Sequence, residues 1–289
     1  MNATRAQVYS PASVTAHPCG RWRGRWSLRA VALIWVGVMI ALPVAALFEH
    51  GLREGIVRFW AEITNPIALA AVRLTIFAAA AMTLINAVMG TLTAYVLARY
   101  RFFGSRLFNS LIDLPFAIPT LVTGVMLVLF YGPQRTLGAW LEARGAQIIF
   151  ARPGIVLALL FITYPFVIRT VQPVLMAIER EQEEAAWTLG ASRWRTFTRV
   201  ILPMITPAIV SGALLSFARA LGEFGSIVVV AGNIPRSTLT APVYVFGQIE
   251  SQNQMGASAV SLLLLALSFA LMLLVDWMQR KRGGEHVAG

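Results

Sequence analysis

Six long apolar runs punctuate the chain, at residues 30–48, 74–98, 114–131, 154–168, 200–221 and 256–275. About 20 apolar residues carry a helix across the hydrocarbon core of a bilayer. The fourth run falls short of that, but residues 170–178 continue it past a single charge, Arg169. The pattern predicts an all-α membrane protein with six transmembrane helices. A half-helix within residues 136–150 is also expected, too short and too polar to span. The predicted organisation is a polar N-terminal tail over 1–28, a transmembrane domain over 29–282 and a C-terminal tail over 283–289. A long polar loop at about 179–200 interrupts the membrane domain.

Composition agrees with the pattern. Hydrophobic residues make up 57% of the chain and charged ones 13%, with a mean hydropathy of +0.69. A soluble domain carries about 25% charged residues. Arginine placement sets an orientation, because cytoplasmic loops accumulate positive charge. Of the 24 Lys and Arg residues, sixteen fall on the side of the N-terminus and seven on the other, with Arg219 inside the fifth run. Both termini and the 179–200 loop are therefore expected in the cytoplasm. The net charge of +11 follows from this flanking pattern and from anionic headgroups, so lipid is the expected basic-surface partner and nucleic acid is not. The Arg-Trp alternation at residues 21–26 reads as an interfacial anchor. Five arginines precede the first run and no small-x-small site follows it, so a cleaved signal is not expected.

Other chemistries find little support. Cys19 is the only cysteine, and His17, His50 and His286 lie far apart, which favours neither a disulfide nor a metal or catalytic cluster. Lys281 is the only lysine and follows Arg280, so the Gly-Lys-Ser/Thr end of a phosphate-binding loop is missing. Neither a G-x-S-x-G elbow nor an H-E-x-x-H helix occurs. An enzymatic role and a cofactor in this chain are not expected. No internal repeat of the secondary-transporter kind is visible.

The polar loop is the most informative segment. Glu179, Glu181, Glu183 and Glu184 crowd the start of a predicted short helix, where they favour the positive end of its dipole. Ala185 and Ala186 are helix formers without bulk. Gly190 suits the left-handed residue that ends a helix, and Arg193, Arg195 and Arg199 follow on a second helix. The product is a helix-turn-helix knob, acidic first and basic last. A solvated loop without a partner is the plain alternative. The full run Glu184-Ala185-Ala186, three residues, Gly190, then Val200-Ile201-Leu202-Pro203 favours a docking surface. It resembles the loop by which membrane subunits of bacterial ABC importers dock on their ATPase. That resemblance implies the type I importer permease fold, with ATP and Mg bound by separate partner subunits. It marks Glu184, Ala185, Ala186, Gly190, Leu202 and Pro203 as the docking residues.

Several polar groups sit at membrane depth. The third run carries Asp113-Leu114-Pro115-Phe116-Ala117-Ile118-Pro119-Thr120, then Thr123-Gly124. Prolines free backbone carbonyls that neighbours or a wet cavity must satisfy. A packing kink and a pore-lining role both remain open for Thr120 and Thr123. Asn86 reads as an interhelical hydrogen bond. In the fifth run Ser211, Gly212, Ser216, Arg219, Gly222, Glu223, Gly225 and Ser226 interrupt apolar sequence. Arg219 stands sixteen residues past Pro203, roughly 24 Å along a helix. Intramembrane charge is costly and marks a functional candidate. Glu223, four residues on, offers mutual neutralisation instead. Ser216, Arg219, Glu223, Thr120 and Thr123 are the candidate path residues.

Gly222-Glu223-Phe224-Gly225 and Ala231-Gly232-Asn233-Ile234-Pro235 resemble the oxyanion branch of importer permeases. The motif at residues 113–120, with Thr240-Ala241-Pro242 and Ile249-Glu250-Ser251, is most similar to the T subunit of sulfate/thiosulfate systems. The resemblance covers about residues 74–280. It implies two ATP-binding cassette subunits, a paralogous W-type permease and a periplasmic sulfate-binding protein, in the bacterial inner membrane. Molybdate or tungstate, and more distantly phosphate, stay open as substrates. A non-transporting membrane scaffold stays open as a different class.

Overall fold

A computed structural model describes residues 23–100 and 102–283; of the expected tails, residues 1–22 of the 1–28 segment and 284–289 of the 283–289 segment lie outside them. Every regular element among the described residues is helical. The chain divides into two units, Met1–Ala46 and Leu47–Gly289. The described part of the first is the apolar stretch of α1 (Arg23–Leu52), whose side chains such as Leu33, Trp35 and Ile40 are exposed. All packing below belongs to the second unit.

Its frame is three long helices, α3 (Pro66–Arg99), α8 (Arg152–Ala177) and α11 (Leu202–Leu221), which pack on one another. Asn65 starts α3 by accepting a hydrogen bond from Ile67 N–H at 2.9 Å, with Pro66 in the first turn. Near one end of the frame Ala78, Met82, Ile155, Leu159 and Leu221 form a buried cluster. Near the other, Ala94, Val167, Val171, Leu175 and Ile205 form a second. Glycines let the backbones approach. A methyl on Gly90 would fall 2.9 Å from Val167 Cβ, and one on Gly212 2.8 Å from Val167 Cα. Small residues at such contacts are how helices associate where lipid removes the hydrophobic drive. Asn86 Nδ2 donates to Thr163 Oγ1 at 2.8 Å and joins α3 to α8 inside this frame.

Among the described residues five helical segments are long and apolar enough to cross a membrane, and a sixth becomes a span only as a bent pair. The third run, expected as one helix over 114–131, is that pair. The limb built of α4 (Ser105–Ile112) and α5 (Leu114–Ala117) meets α6 (Thr120–Tyr131) at 112°. Pro119 is the cause. It lacks an N–H and forces Ile118 into extended backbone, φ −87° and ψ 127°. The fourth run does continue past Arg169, to Ala177. The expected half-helix is α7 (Thr136–Glu142).

The fifth run starts earlier than its apolar pattern. α9 (Arg180–Thr188) turns into α10 (Arg193–Thr196), which joins α11 through a π-helical turn at Phe197–Ile201. Pro203 explains that turn, because its ring crowds the carbonyl one turn back and its missing N–H breaks the ladder. Leu202 N–H reaches Phe197 O instead. Four short helices have no counterpart among the predicted elements: α2 (Ile56–Ile63), α4, α12 (Gly225–Val230) and α13 (Ala241–Glu250). The last long helix, α14 (Gln254–Gly283), packs on α2, α11 and α13.

Candidate functional site

The loop between α8 and α11 is the knob its sequence predicts. Gly190 takes φ 80°. Gly190 N–H donates to Trp187 O at 2.9 Å and Ala191 N–H to Ala186 O at 3.0 Å, the paired bonds of a left-handed helix stop. A methyl on Gly190 would meet nothing within 4 Å, so its backbone angle, not space, requires glycine. Ser192 caps α10 by accepting from Arg195 N–H at 3.3 Å. Glu184 and Ala185 are exposed, Ala186 and Leu202 are half-buried, and Pro203 is exposed.

Three apolar side chains of the knob that sequence reasoning passed over are also exposed. Leu189 is 88% exposed, Trp194 74% and Trp187 45%. A polar loop that keeps such groups uncovered has the character of an interaction surface. Their signal was present as large apolar residues inside a charged segment, but the glutamates and arginines masked it.

Beneath the knob is a cavity of about 470 Å³, lined by Tyr95, Arg99, Glu183, Glu184, Trp187 and Phe197 among others. Arg99, the last residue of α3, places Nη2 2.6 Å from Glu183 Oε1, and both side chains are only 10% exposed. The approach is ionic, although its angle leaves Glu183 Oε1 without a directed hydrogen bond. The same guanidinium donates to Ile178 O, the cap of α8, at 3.3 and 3.4 Å. Removing one partner of a buried pair costs about 3–5 kcal/mol.

A second charged joint explains Arg169. Its Nε and Nη2 grip Asp113 at 2.7 and 2.6 Å, and it also donates to Asn109 Oδ1, Asn109 O and Gln172 Oε1. This fork binds the junction of α4 and α5 to α8.

Among the path residues, Arg219 and Glu223 do pair, Nη1 to Oε2 at 3.0 Å. Their neighbours Ala220 and Leu221 share a buried cluster with Leu159 of α8. Glu223 is buried, and its Oε1 accepts from Ser226 N–H and Oγ, each at 3.0 Å. Arg219 is partly exposed. Thr120 lies against Gly225 at the start of α12, so Thr120, Glu223 and Arg219 gather around that one turn. Ser216 is fully buried and donates to Gly212 O in its own helix at 2.8 Å. Thr123 faces elsewhere: its buried Oγ1 has no partner, and it helps line an apolar cavity of about 680 Å³ with Asn86, Pro115, Phe161 and Tyr164. Among the described residues no cluster of His, Cys, Asp and Glu could hold a metal ion.

Membrane-length helices packed on one another, a bent span and a helix-turn-helix knob between two of the long helices describe a multi-pass membrane protein. The chain belongs to the family described as "binding-protein-dependent transport system inner membrane component", which matches residues 87–284. It is 44% identical over 250 residues to the probable sulfate transport system permease protein cysT of Nephroselmis olivacea, covering 86% of this chain and 88% of that one. The sulfate transport system permease protein CysT of Escherichia coli is 39% identical over 258 residues, covering 89% and 93%. Among solved structures, a bacterial ABC transporter that imports the acidic polysaccharide alginate superposes with a TM-score of 0.74 at 18% identity, over 90% of this chain and 96% of that one. The inward-facing MetNI methionine ABC transporter superposes at 0.53 and 19% identity, over 75% and 98%. These superpositions establish the fold.

Proposed function

We propose that the chain is the membrane-spanning permease subunit of an ATP-driven importer that passes sulfate or thiosulfate across the inner membrane. The observation that carries this reading is 39–44% identity, over most of the chain, to permeases named for sulfate transport. ATP is hydrolysed by two separate ATP-binding cassette subunits that receive the knob at Glu184, Ala185, Ala186, Gly190, Leu202 and Pro203. A paralogous permease completes the passage, and a periplasmic sulfate-binding protein delivers the anion. Both termini lie in the cytoplasm, on the side of the knob.

Within the passage Arg219 supplies positive charge to a doubly negative oxyanion. A bare guanidinium in low dielectric would hold such an anion too tightly for release. Glu223, fixed by Ser226, tempers that attraction. Thr120 stands at the same turn and Ser216 one turn below it on α11.

Uptake of labelled sulfate by a strain deleted for this chain tests the reading. Restoration by the wild-type chain, dependent on ATP, is the expected outcome. Restored molybdate uptake without sulfate uptake would move the substrate to another oxyanion. Absence of ATP-dependent flux with any partner set would leave a scaffold.

A further inference from the structure

The knob's acidic residues are not equivalent. Glu181 and Glu184 face outward, whereas Glu183 turns inward and is buried against Arg99. Arg99 also holds Ile178 O, so one guanidinium joins the end of α3, the end of α8 and the first turn of α9. Around this joint the packing is open. The 470 Å³ cavity separates the knob from α3, and the aromatic contact across it is edge-on, Tyr95 to Phe197 at 5.3 Å. A knob resting on a cavity would tilt under load unless something stiff crosses the gap. The Arg99/Glu183 pair crosses it.

We infer that Arg99 and Glu183 form a coupling strut. They are positioning residues that make a displacement of the knob move α3 and α8 with it, and they do not themselves touch the docked subunit. This rests on the docking reading above. Energetic coupling between distant sites requires an element with defined arrangements that both sites bias. A buried ion pair at the junction of three helices, short of hydrogen bonds at Arg99 Nε and Glu183 Oε1, ties the knob to the two helices that would have to move with it. Its strength depends on charge and reach, not on shape alone.

The test uses the full complex in proteoliposomes: this chain, its partner permease, the ATP-binding subunits and the sulfate-loaded binding protein. Glu183→Gln is close to isosteric. Arg99→Met with Glu183→Leu replaces the pair by apolar side chains of similar volume, a change that buried ion pairs generally tolerate. Both variants are expected to retain the ATP-binding subunits on purification and to keep basal ATP hydrolysis. Sulfate moved per ATP should fall by about tenfold, the scale of a typical coupling term. Arg99→Lys, which keeps the charge, should recover a substantial part of the ratio. A wild-type ratio in the apolar double variant would overturn the strut. Loss of the ATP-binding subunits in Glu183→Gln would overturn it too, by making Glu183 a docking residue. Failure of the wild-type chain to retain those subunits would instead remove the docking reading, and the strut with it.

Discussion

Glu223 offers Arg219 one carboxylate oxygen, at 3.0 Å, and gives the other to the N–H and hydroxyl of Ser226. The two ends of the pair therefore differ. The carboxylate is buried and held from two sides, while the guanidinium is 37% exposed. On the path proposed above, that partly exposed guanidinium would face a protein-lined or watered space, because lipid would not tolerate it.

The asymmetry shapes the test of an anion path. Exchanging the two charges would drive a guanidinium against Ser226 N–H, so failure of the swap would not separate pairing from guidance. Arg219→Gln and Arg219→Lys do separate them. Arg219→Gln should lower sulfate uptake by at least about tenfold, the factor carried by 1.4 kcal/mol, with assembly intact. Arg219→Lys should retain much of the uptake. Uptake by Arg219→Gln within a factor of about two of wild type would reduce the pair to a structural tie.

Docking should fail before transport is ever reached when the turn is broken. Gly190→Pro cannot adopt φ 80° and loses the N–H bonded to Trp187 O. Glu184→Lys reverses an exposed charge on the knob. Both variants are expected to reach the membrane and to lose ATP-driven uptake together with retention of the ATP-binding subunits. Gly190→Ala has room, and its left-handed strain of about 1–2 kcal/mol should leave partial function. Normal uptake in both disruptive variants, at normal expression, would remove the docking assignment.

Orientation can be read by thiol labelling once Cys19 is replaced by serine. Ile234→Cys and Gln182→Cys each put a thiol on an exposed position. A membrane-impermeant maleimide should label the first from outside intact spheroplasts and spare the second. The opposite result would invert the topology.

The close approach of α11 to α8 at Gly212 predicts a steric optimum. Gly212→Val would overlap Val167 Cα and Thr170 Oγ1, and overpacking of this kind costs about 1–3 kcal/mol. The thermal transition in detergent should fall accordingly. Gly222→Ala, whose added methyl meets nothing within 4 Å, should leave it in place.

Much of this was legible along the chain because the governing interactions are local. Apolar runs predict spans through their length alone. Gly190 announces its turn by its place after a helix-forming stretch. Arg219 and Glu223 pair because four residues make one helical turn. The joints that tie distant segments were not legible. Arg99 meets Ile178 across 79 residues and Arg169 meets Asp113 across 56, and no local pattern pairs them. Each was visible only as a charge at the end of an apolar run, which topology explained well enough. The third span misled for a different reason: its composition is continuous across Pro119, while its backbone is not. Ser216 shows the converse, a polar residue in an apolar run that spends its hydroxyl on its own helix.

Leu189 and Trp194 stand uncovered on a subunit otherwise at home in lipid. Until a partner buries them, they are the sort of surface that chaperones and membrane proteases seize on. On the docking proposal, copies made in excess would be exposed to removal, and copies that find an ATP-binding subunit would be spared. The cellular abundance of this chain should accordingly follow that of its partner, with two side chains acting as the quality-control tag for an incomplete assembly.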